Sequence, residues 1–191
     1  MPGAPSGTTL GASLVHVDPS GRFTLGAGVS GPDHFQGFWQ GASAADLHPI
    51  VMTGGPAPGT NDTLDFIHTA AVNDAGQLAF VGDLTLNGTA DGTGIFAYDP
   101  AIGLQLIARI GDTVHVGPGD VRTISALVHP DLFDTPALSD TGTLLFRVDF
   151  TDGSSGLMLA DVPEPEALSL VILAAVCLVR RRTGPTIVAQ S

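Results

Sequence analysis

The chain has 191 residues, of which 43% are hydrophobic and 14% are charged, and its formal net charge is −12. This length suits one domain with a sizeable core, and the apolar content argues against a disordered chain. The acidic balance argues against a nucleic-acid partner, because nucleic-acid-binding surfaces need clustered basic residues. The single cysteine, Cys177, excludes an internal disulfide and a cysteine-based metal site.

Positive charge is scarce and unevenly placed. The chain has no lysine, and three of its seven arginines are consecutive at Arg180, Arg181 and Arg182. Up to Asp161 the sequence contains 17 aspartates and four arginines. Such a surface suits an extracellular or saline setting or the binding of cations, although solubility alone also explains it.

The N-terminal segment, residues 1–16, is predicted to be irregular. It has neither a basic n-region nor an apolar h-region, so no secretory signal peptide is visible. Because the C-terminal features described below indicate export, we expect this chain to be the C-terminal part of a longer protein.

A turn followed by an alternating strand recurs along the chain. The central copy is Asn73–Phe80, a second copy is Ser139–Phe146, and a weaker copy is Asp18–Leu25. In each copy a glycine supplies the positive φ of a tight turn. Apolar residues at every second position after that glycine predict a strand with one buried face.

Further strands follow each copy. Second strands are predicted to start at Gly37, Gly94 and Gly156, and third strands are placed at 49–52 and 104–109. A fourth is placed at 66–72 and 124–128, which divides the β-repeat ectodomain, 17–161, into units near 17–71, 72–137 and 138–161. Three or four short strands per unit predict an all-β fold, a repetitive antiparallel β-meander that is propeller-like and incomplete.

The repeats resemble the NxxGxxAF tandem-repeat proteins, a bacterial family that often carries a C-terminal anchor. The central copy fits every motif position, and the later copy keeps the glycine and the phenylalanine; the motif residues are Asn73, Gly76, Ala79, Phe80, Gly142 and Phe146. The resemblance implies a β-repeat fold and an envelope location, and it brings no established activity.

Catalytic motifs are weak. Residues 26–31 fit GxGxxG, but a dinucleotide site needs a helix directly afterwards, and Pro32 follows with no helical period. The six histidines show no metal-ligand spacing, and no GxSxG nucleophile elbow occurs. We therefore predict a protein that is not an enzyme and has no resident cofactor; a secreted hydrolase on a propeller-like fold is the least favoured alternative.

Ligand binding remains an open alternative. Asp91, Asp112 and Asp152 lie in glycine-containing turns and are candidate Ca²⁺ ligands, although aspartate in a turn usually bonds the local backbone. A second possibility is a sugar-stacking platform of aromatic residues, but packing between sheets explains them better because they fall on the second-strand positions; these residues are Trp39, Phe96 and Tyr98.

The C-terminal region, residues 162–182, has three parts in order. Val162–Pro165 is stiff and extended because proline fixes φ. The uncharged stretch 167–179 has 13 residues, and the three arginines follow it. Because arginines are costly to bury unpaired, we predict a short transmembrane helix with a cytoplasmic C-terminus instead of a core helix. An ordinary tail anchor is the alternative.

This order resembles the PEP-CTERM sorting signal, although the tail 183–191 extends past the usual end. The resemblance implies that Pro163, Glu164 and Pro165 are recognised by an exosortase-type enzyme in a bacterium that makes exopolysaccharide. Arg180, Arg181 and Arg182 would stop membrane transfer.

The sequence thus predicts a non-enzymatic exported cell-envelope or extracellular-matrix protein, first anchored in the inner membrane and then at the surface. The alternative is a carbohydrate- or Ca²⁺-binding surface module on the same scaffold.

Overall fold

The computed structural model describes residues 9–30, 35–127 and 136–162. In these ranges the protein is all-β, as predicted, with thirteen strands and no helix. In chain order the strands are β1 (Thr9–Val17), β2 (Phe23–Ser30), β3 (Phe35–Gly41), β4 (His48–Met52), β5 (Thr63–Val72), β6 (Leu78–Leu86), β7 (Thr89–Asp99), β8 (Gly103–Arg109), β9 (Thr113–Gly117), β10 (Asp120–Leu127), β11 (Ala137–Leu138), β12 (Thr143–Phe150) and β13 (Ser155–Asp161).

The strands form three antiparallel sheets. The first sheet has the order β1-β2-β3-β4 and the second has the order β5-β6-β7-β8, so both are simple meanders. In the third sheet β9 pairs with β10 and β10 pairs with β12. The two-residue strand β11 also pairs with β12, and β13 completes this sheet along β12.

The structure corrects two predicted boundaries. The segment 66–72 is not a fourth strand of the first unit, because it belongs to β5, which pairs with β6 in the second sheet. Likewise most of 124–128 lies in β10, which pairs with β12. The physical reason is that a short motif turn joins two neighbouring antiparallel strands, so the strand before each motif shares its sheet.

The N-terminal segment also differs from its prediction. The strand β1 begins at Thr9, inside the range 1–16 that was expected to be irregular. It pairs with β2 along its length, with a register shift between Ala12 and Leu14. The glycine and serine content of this segment obscured the strand pattern, and the backbone pairing with β2 overrides that weak local preference.

Two hydrophobic layers separate the three sheets. Phe38 and Val51 of the first sheet belong to one cluster with Phe80 and Phe96 of the second. On the other side of the second sheet, Ala79 and its neighbours pack with residues of the third sheet, chiefly Ile124, Leu144, Phe146, Val148 and Phe150. The core is therefore divided between two interfaces, and the second sheet contributes to both.

The packing of the second sheet on both sides decides where the predicted pattern of one buried strand face is correct. In β12 the residues Leu144, Phe146, Val148 and Phe150 are buried and the intervening Leu145 is exposed, which confirms one buried face. For β6 the prediction of one buried face is wrong. Its residues 78–81 are each at most 2% exposed, because successive side chains of a strand point to opposite faces and both faces are covered.

The corners between sheets repeat as well. After β4, the Gly54 N–H donates to the Leu64 carbonyl at 2.7 Å, and the Leu64 N–H donates to the Gly55 carbonyl at 2.9 Å. After β8, Ile124 exchanges the equivalent two hydrogen bonds with Gly111 and Asp112, both at 2.9 Å. Equivalent corners place the three motif turns in equivalent positions on successive sheets.

Candidate functional site

The three copies of the repeat motif form the same tight turn. We name them the first motif turn (Asp18–Arg22), the second motif turn (Asn73–Gln77) and the third motif turn (Ser139–Thr143). In each, the N–H of the first residue donates to the carbonyl four residues later, at 2.9 to 3.1 Å. The N–H of the motif glycine donates back to the first residue's carbonyl at 2.9 to 3.0 Å. The glycines have φ values of +83°, +78° and +80°, at Gly21, Gly76 and Gly142.

The first side chain of each motif closes its turn. Asn73 Oδ1 accepts the N–H groups two and four residues later, at 3.1 and 2.9 Å. Asp18 Oδ1 does the same at 2.9 and 3.0 Å, while Ser139 Oγ accepts the N–H four residues later at 2.9 Å. A short side-chain acceptor is what this position needs, so asparagine, aspartate and serine all serve there.

The first and second motif turns are joined across the sheet interface. Arg22 Nη2 donates to the Ala75 carbonyl at 3.1 Å. Gln40, in β3, donates from Nε2 to the Gly76 carbonyl at 2.8 Å and to Thr24 Oγ1 at 3.1 Å. Gln40 is only 1% exposed, and a buried amide left without partners is costly. These contacts therefore fix the first sheet against the second.

The second and third motif turns are joined in a similar way. Asn73 Nδ2 donates to the Ser139 carbonyl at 2.7 Å and to Gln77 Oε1 at 2.7 Å. The Asp74 N–H donates to Asp140 Oδ1 at 3.2 Å. Asn73 is 2% exposed, so both ends of its amide are used inside the protein. The three turns form one continuous row of hydrogen bonds across all three sheets.

The apolar half of the motif completes each interface. Phe80 is fully buried and faces the first sheet, where its ring centroid lies 5.6 Å from that of Phe38. It also stacks on Phe96 with a centroid distance of 5.3 Å. Ala79 is fully buried toward the third sheet, whose Phe146 belongs to the same hydrophobic cluster. All six predicted motif residues thus lie at or beside the sheet interfaces.

The three predicted Ca²⁺ ligands make separate local contacts. Asp91 forms an ion pair with Arg109, and Asp112 Oδ2 accepts the Arg109 N–H at 2.8 Å. Asp152 Oδ1 accepts the Ser154 hydroxyl at 2.5 Å and the Ser154 N–H at 2.9 Å, and these hydrogen bonds, first that of the hydroxyl, lower the pKa of Asp152. Within 9–30, 35–127 and 136–162, no three His, Cys, Asp or Glu side chains are grouped to hold a metal ion.

Each arginine of the β-repeat region pairs with aspartate. The pairs are Arg22 with Asp18, Arg109 with Asp62 and Asp91, Arg122 with Asp120 and Asp152, and Arg147 with Asp149. The Arg122 hydrogen bond lowers the pKa of Asp120, and hydrogen bonds, first that of the Ser20 hydroxyl, lower the pKa of Asp18 to about 2. Each arginine charge in the described residues is thus neutralised by a neighbouring aspartate, while many other aspartates of that part have no arginine partner.

A cleft of about 220 Å³ opens between the first and second sheets. Its apolar lining includes Leu14, Phe38 and Ile67, and its polar lining includes Gln36 and His68. Gln36 Oε1 accepts the Ile67 N–H at 2.8 Å, which ties β3 to β5 beside the cleft. In this cleft the His68 imidazole therefore borders an apolar concavity.

His68 is held by a local irregularity of β5. Ile67 pairs with Gly82 and Ala70 pairs with Phe80, so His68 and its neighbour Thr69 together face the single residue Val81. Such a β-bulge redirects side chains, and bulges are frequent beside functional sites. His68 Nε2 lies 2.8 Å from Asp83 Oδ2, and Asp83 Oδ1 accepts the Thr93 hydroxyl at 3.0 Å.

A model of a protein family described as a family of unknown function, DUF7453, matches residues 2–169. The chain belongs to this family. The match spans all three sheets and therefore all three motif turns. No curated protein matches the chain, and no solved structure does.

In this DUF7453 chain, the burial of three aromatic residues decides between a sugar-stacking platform and packing between sheets. Trp39 is fully buried and Phe96 is 1% exposed. Tyr98 packs against the cluster between the first and second sheets, and burial raises its pKa. Packing between sheets is thus confirmed for Phe96 and Tyr98, and Trp39 is enclosed by the protein, so the three residues do not form an exposed sugar platform.

Sequence reasoning missed Gln36, Gln40 and His68. A glutamine inside the apolar run Gly37–Gly41 was a visible signal for Gln40, because a polar residue in such a run needs a buried partner. For His68 the sequence carried no such signal, since its position depends on a register shift between β5 and β6.

The predicted sorting and membrane-stop residues, Pro163, Glu164, Pro165, Arg180, Arg181 and Arg182, lie outside the described residues, as does the predicted transmembrane helix. Across the residues that are described, no helix has the length and apolarity needed to cross a membrane.

Proposed function

We propose that the chain is a non-enzymatic exported protein of the bacterial cell envelope or extracellular matrix. Its β-repeats act as a stacked, propeller-like scaffold, and an exosortase-type enzyme sorts it through Pro163, Glu164 and Pro165. The observation that carries the scaffold role is that the repeated motif residues are spent on contacts between sheets, not on an open site.

The burial of the motif supports this assignment. Asn73 and Gln77 are 2% and 4% exposed, and their amide groups bond to other parts of the protein. A catalytic or ligand-binding group must instead reach its substrate. Repetition of a sequence is explained when each copy builds the same joint, as in other repeat proteins where each unit contacts only its neighbours.

The charge pattern supports an external location. Asp62 and Asp91 both contact Arg109, and the other arginines of the β-repeat region pair with aspartate in the same manner. The remaining carboxylates give a surface that stays soluble and repels other acidic polymers. The C-terminal order of Pro-Glu-Pro, apolar stretch and arginines supports retention at the inner membrane followed by sorting.

The test is localisation of the tagged chain, fused behind a cleavable secretory signal peptide, in an exosortase-containing host. One variant replaces Pro163, Glu164 and Pro165 with alanine, and a matched control replaces three residues beyond the arginines, Thr183, Gly184 and Pro185, with alanine. We expect the wild type and the control to be processed and to reach the surface, while the motif variant stays in the inner membrane. Equal localisation of all three forms would refute the sorting role.

A further inference from the structure

We infer that the cleft between the first and second sheets binds one neutral hexose ring of a polysaccharide. This inference goes beyond the sorting function and does not rest on it, because the cleft is built from described residues of the β-repeats. It gives a location to the carbohydrate-binding alternative that the sequence left open.

The size of the cleft favours a single ring. Its volume of about 220 Å³ is below the roughly 300–1,000 Å³ typical of pockets for drug-sized ligands. The lining combines apolar side chains, including Leu14, Phe38 and Ile67, with the polar groups of Gln36 and His68. A hexose ring has the matching composition, because its C–H face is apolar and its hydroxyls lie around the rim.

The imidazole of His68 is already held in place at the cleft. His68 Nε2 bonds to Asp83, and the Thr93 hydroxyl bonds to the second oxygen of that carboxylate. With Nε2 engaged, Nδ1 is the ring nitrogen that would bond to a hydroxyl group of a ligand, and the His68 side chain is 27% exposed. A side chain fixed by a second residue binds without a further loss of rotamer freedom, which favours affinity.

The open space beside Gly28 also supports a ligand site in the cleft. An added Cβ at Gly28, which lines the cleft, meets no atom within 4 Å. At Gly37, on the neighbouring strand, an added Cβ would lie 2.7 Å from the Val51 carbonyl oxygen. Gly28 is therefore a position where the absence of a side chain leaves open space and is not demanded by packing.

The net charge of the protein and an exposed aromatic ring indicate which class of saccharide fits the cleft. The net charge of −12 opposes an anionic saccharide. Phe66 is 45% exposed, and its ring centroid lies 4.9 Å from that of His68. It offers an apolar ring surface near the cleft for the next sugar of the chain. A neutral oligosaccharide fits these features better than an acidic one.

The test is titration calorimetry of the full chain in mild detergent with maltohexaose and cellohexaose as neutral probes and polygalacturonate as an acidic probe. Gly28→Leu fills the cleft. Gly117→Leu is the matched control, because an added Cβ at Gly117 in β9 meets no atom closer than 3.9 Å. Urea unfolding of each variant checks that it remains folded.

We expect at least one neutral hexaose to bind the wild type and the Gly117→Leu control, with affinity at least about tenfold lower, about 1.4 kcal/mol, in Gly28→Leu. A second variant, His68→Phe, is expected to weaken binding as well. Failure of both neutral probes to bind, unchanged binding by Gly28→Leu, or equal binding of polygalacturonate would overturn the inference. None of these outcomes affects the localisation test, so the two proposals fail separately.

Discussion

The first and second motif turns have the same backbone but different chemistry. Asp18 closes the first turn and also forms an ion pair with Arg22 at 3.0 Å. Asn73 closes the second turn with its oxygen and uses its Nδ2 to reach the Ser139 carbonyl in the third sheet. A carboxylate cannot donate a hydrogen bond. The contact from the first sheet to the second is therefore made by Arg22 in the turn and by Gln40 in β3.

The difference separates two roles that the motif combines. Closing the turn needs only an acceptor, and asparagine, aspartate and serine all provide it. Joining two sheets needs a donor, and that donor sits on the motif residue in one turn and on other residues in the next. A motif position that varies among the copies is thus still explained by one physical requirement.

The largest expected loss of stability comes from giving the second turn the aspartate of the first. Asn73→Asp keeps the acceptor but places a carboxylate against the Ser139 carbonyl and Gln77 Oε1 in a site that is 2% exposed. We expect a loss of about 3–5 kcal/mol in the free energy of unfolding, as for an uncompensated buried charge. Urea denaturation followed by circular dichroism measures it.

The reciprocal variant, Asp18→Asn, is the matched control. It keeps the turn closed and loses the ion pair with Arg22, so we expect a much smaller shift of the urea midpoint. If Asn73→Asp and Asp18→Asn shift the midpoint equally, the donor role of Asn73 is wrong.

The motif glycines give the second largest effect. Replacement by alanine at a positive φ costs about 1–2 kcal/mol in each turn. At Gly76 the added Cβ would also lie 2.6 Å from Arg22 Nη2, whereas at Gly21 it would meet no atom within 4 Å. We expect Gly76→Ala to destabilise more than Gly21→Ala, by about 1 kcal/mol for a lost hydrogen bond.

Gly142→Ala gives the intermediate case, because its Cβ would lie 3.1 Å from Gln77 Oε1. Thermal unfolding of the three variants ranks them. Equal destabilisation at the three positions would mean that contacts between turns add nothing to the backbone strain.

The smallest expected effect is a change in how the stability of the protein depends on pH. Hydrogen bonds, first that of the Ser20 hydroxyl, lower the pKa of Asp18 to about 2 from 3.8. A carboxyl group whose pKa is lowered on folding stabilises the protein above pH 3.8, and this contribution is lost as the pH falls toward 2. Asp18→Asn should therefore flatten the fall of stability between about pH 4 and pH 2.

Asp46 is the comparator, because hydrogen bonds from Ser43 and Ala42 lower its pKa to about 2 as well. Asp46→Asn should remove its own share of the acid dependence and leave that of Asp18. An Asp18→Asn variant with the same acid limb as the wild type would contradict the role of the first motif turn.

Much of the fold followed from the sequence. Alternating residues after Gly142 predicted β12 and its buried face, and the glycines at the motif turns predicted positive φ. Both are local properties that depend on neighbouring residues along one strand or turn. The same reasoning placed 49–52 and 104–109 in strands that the structure contains as β4 and β8.

The remaining features depend on how separate segments meet. The burial of both faces of β6 requires a sheet on each side, which no period within β6 can reveal. The position of His68 depends on a bulge, and the Asn73 contact joins residues 66 positions apart in the chain. Sequence periodicity describes one strand at a time, so it identifies the motif but not the joint that the motif builds.

The most direct test of the central claim, that the motif turns join neighbouring sheets, is hydrogen exchange of backbone amides in the full chain and in Asn73→Asp. We expect β12 in the third sheet to lose protection together with β6, while β2 in the first sheet is affected less. If the loss of protection is confined to the second motif turn and the adjoining ends of β5 and β6, with β12 unchanged, the motif closes a turn but does not join the sheets.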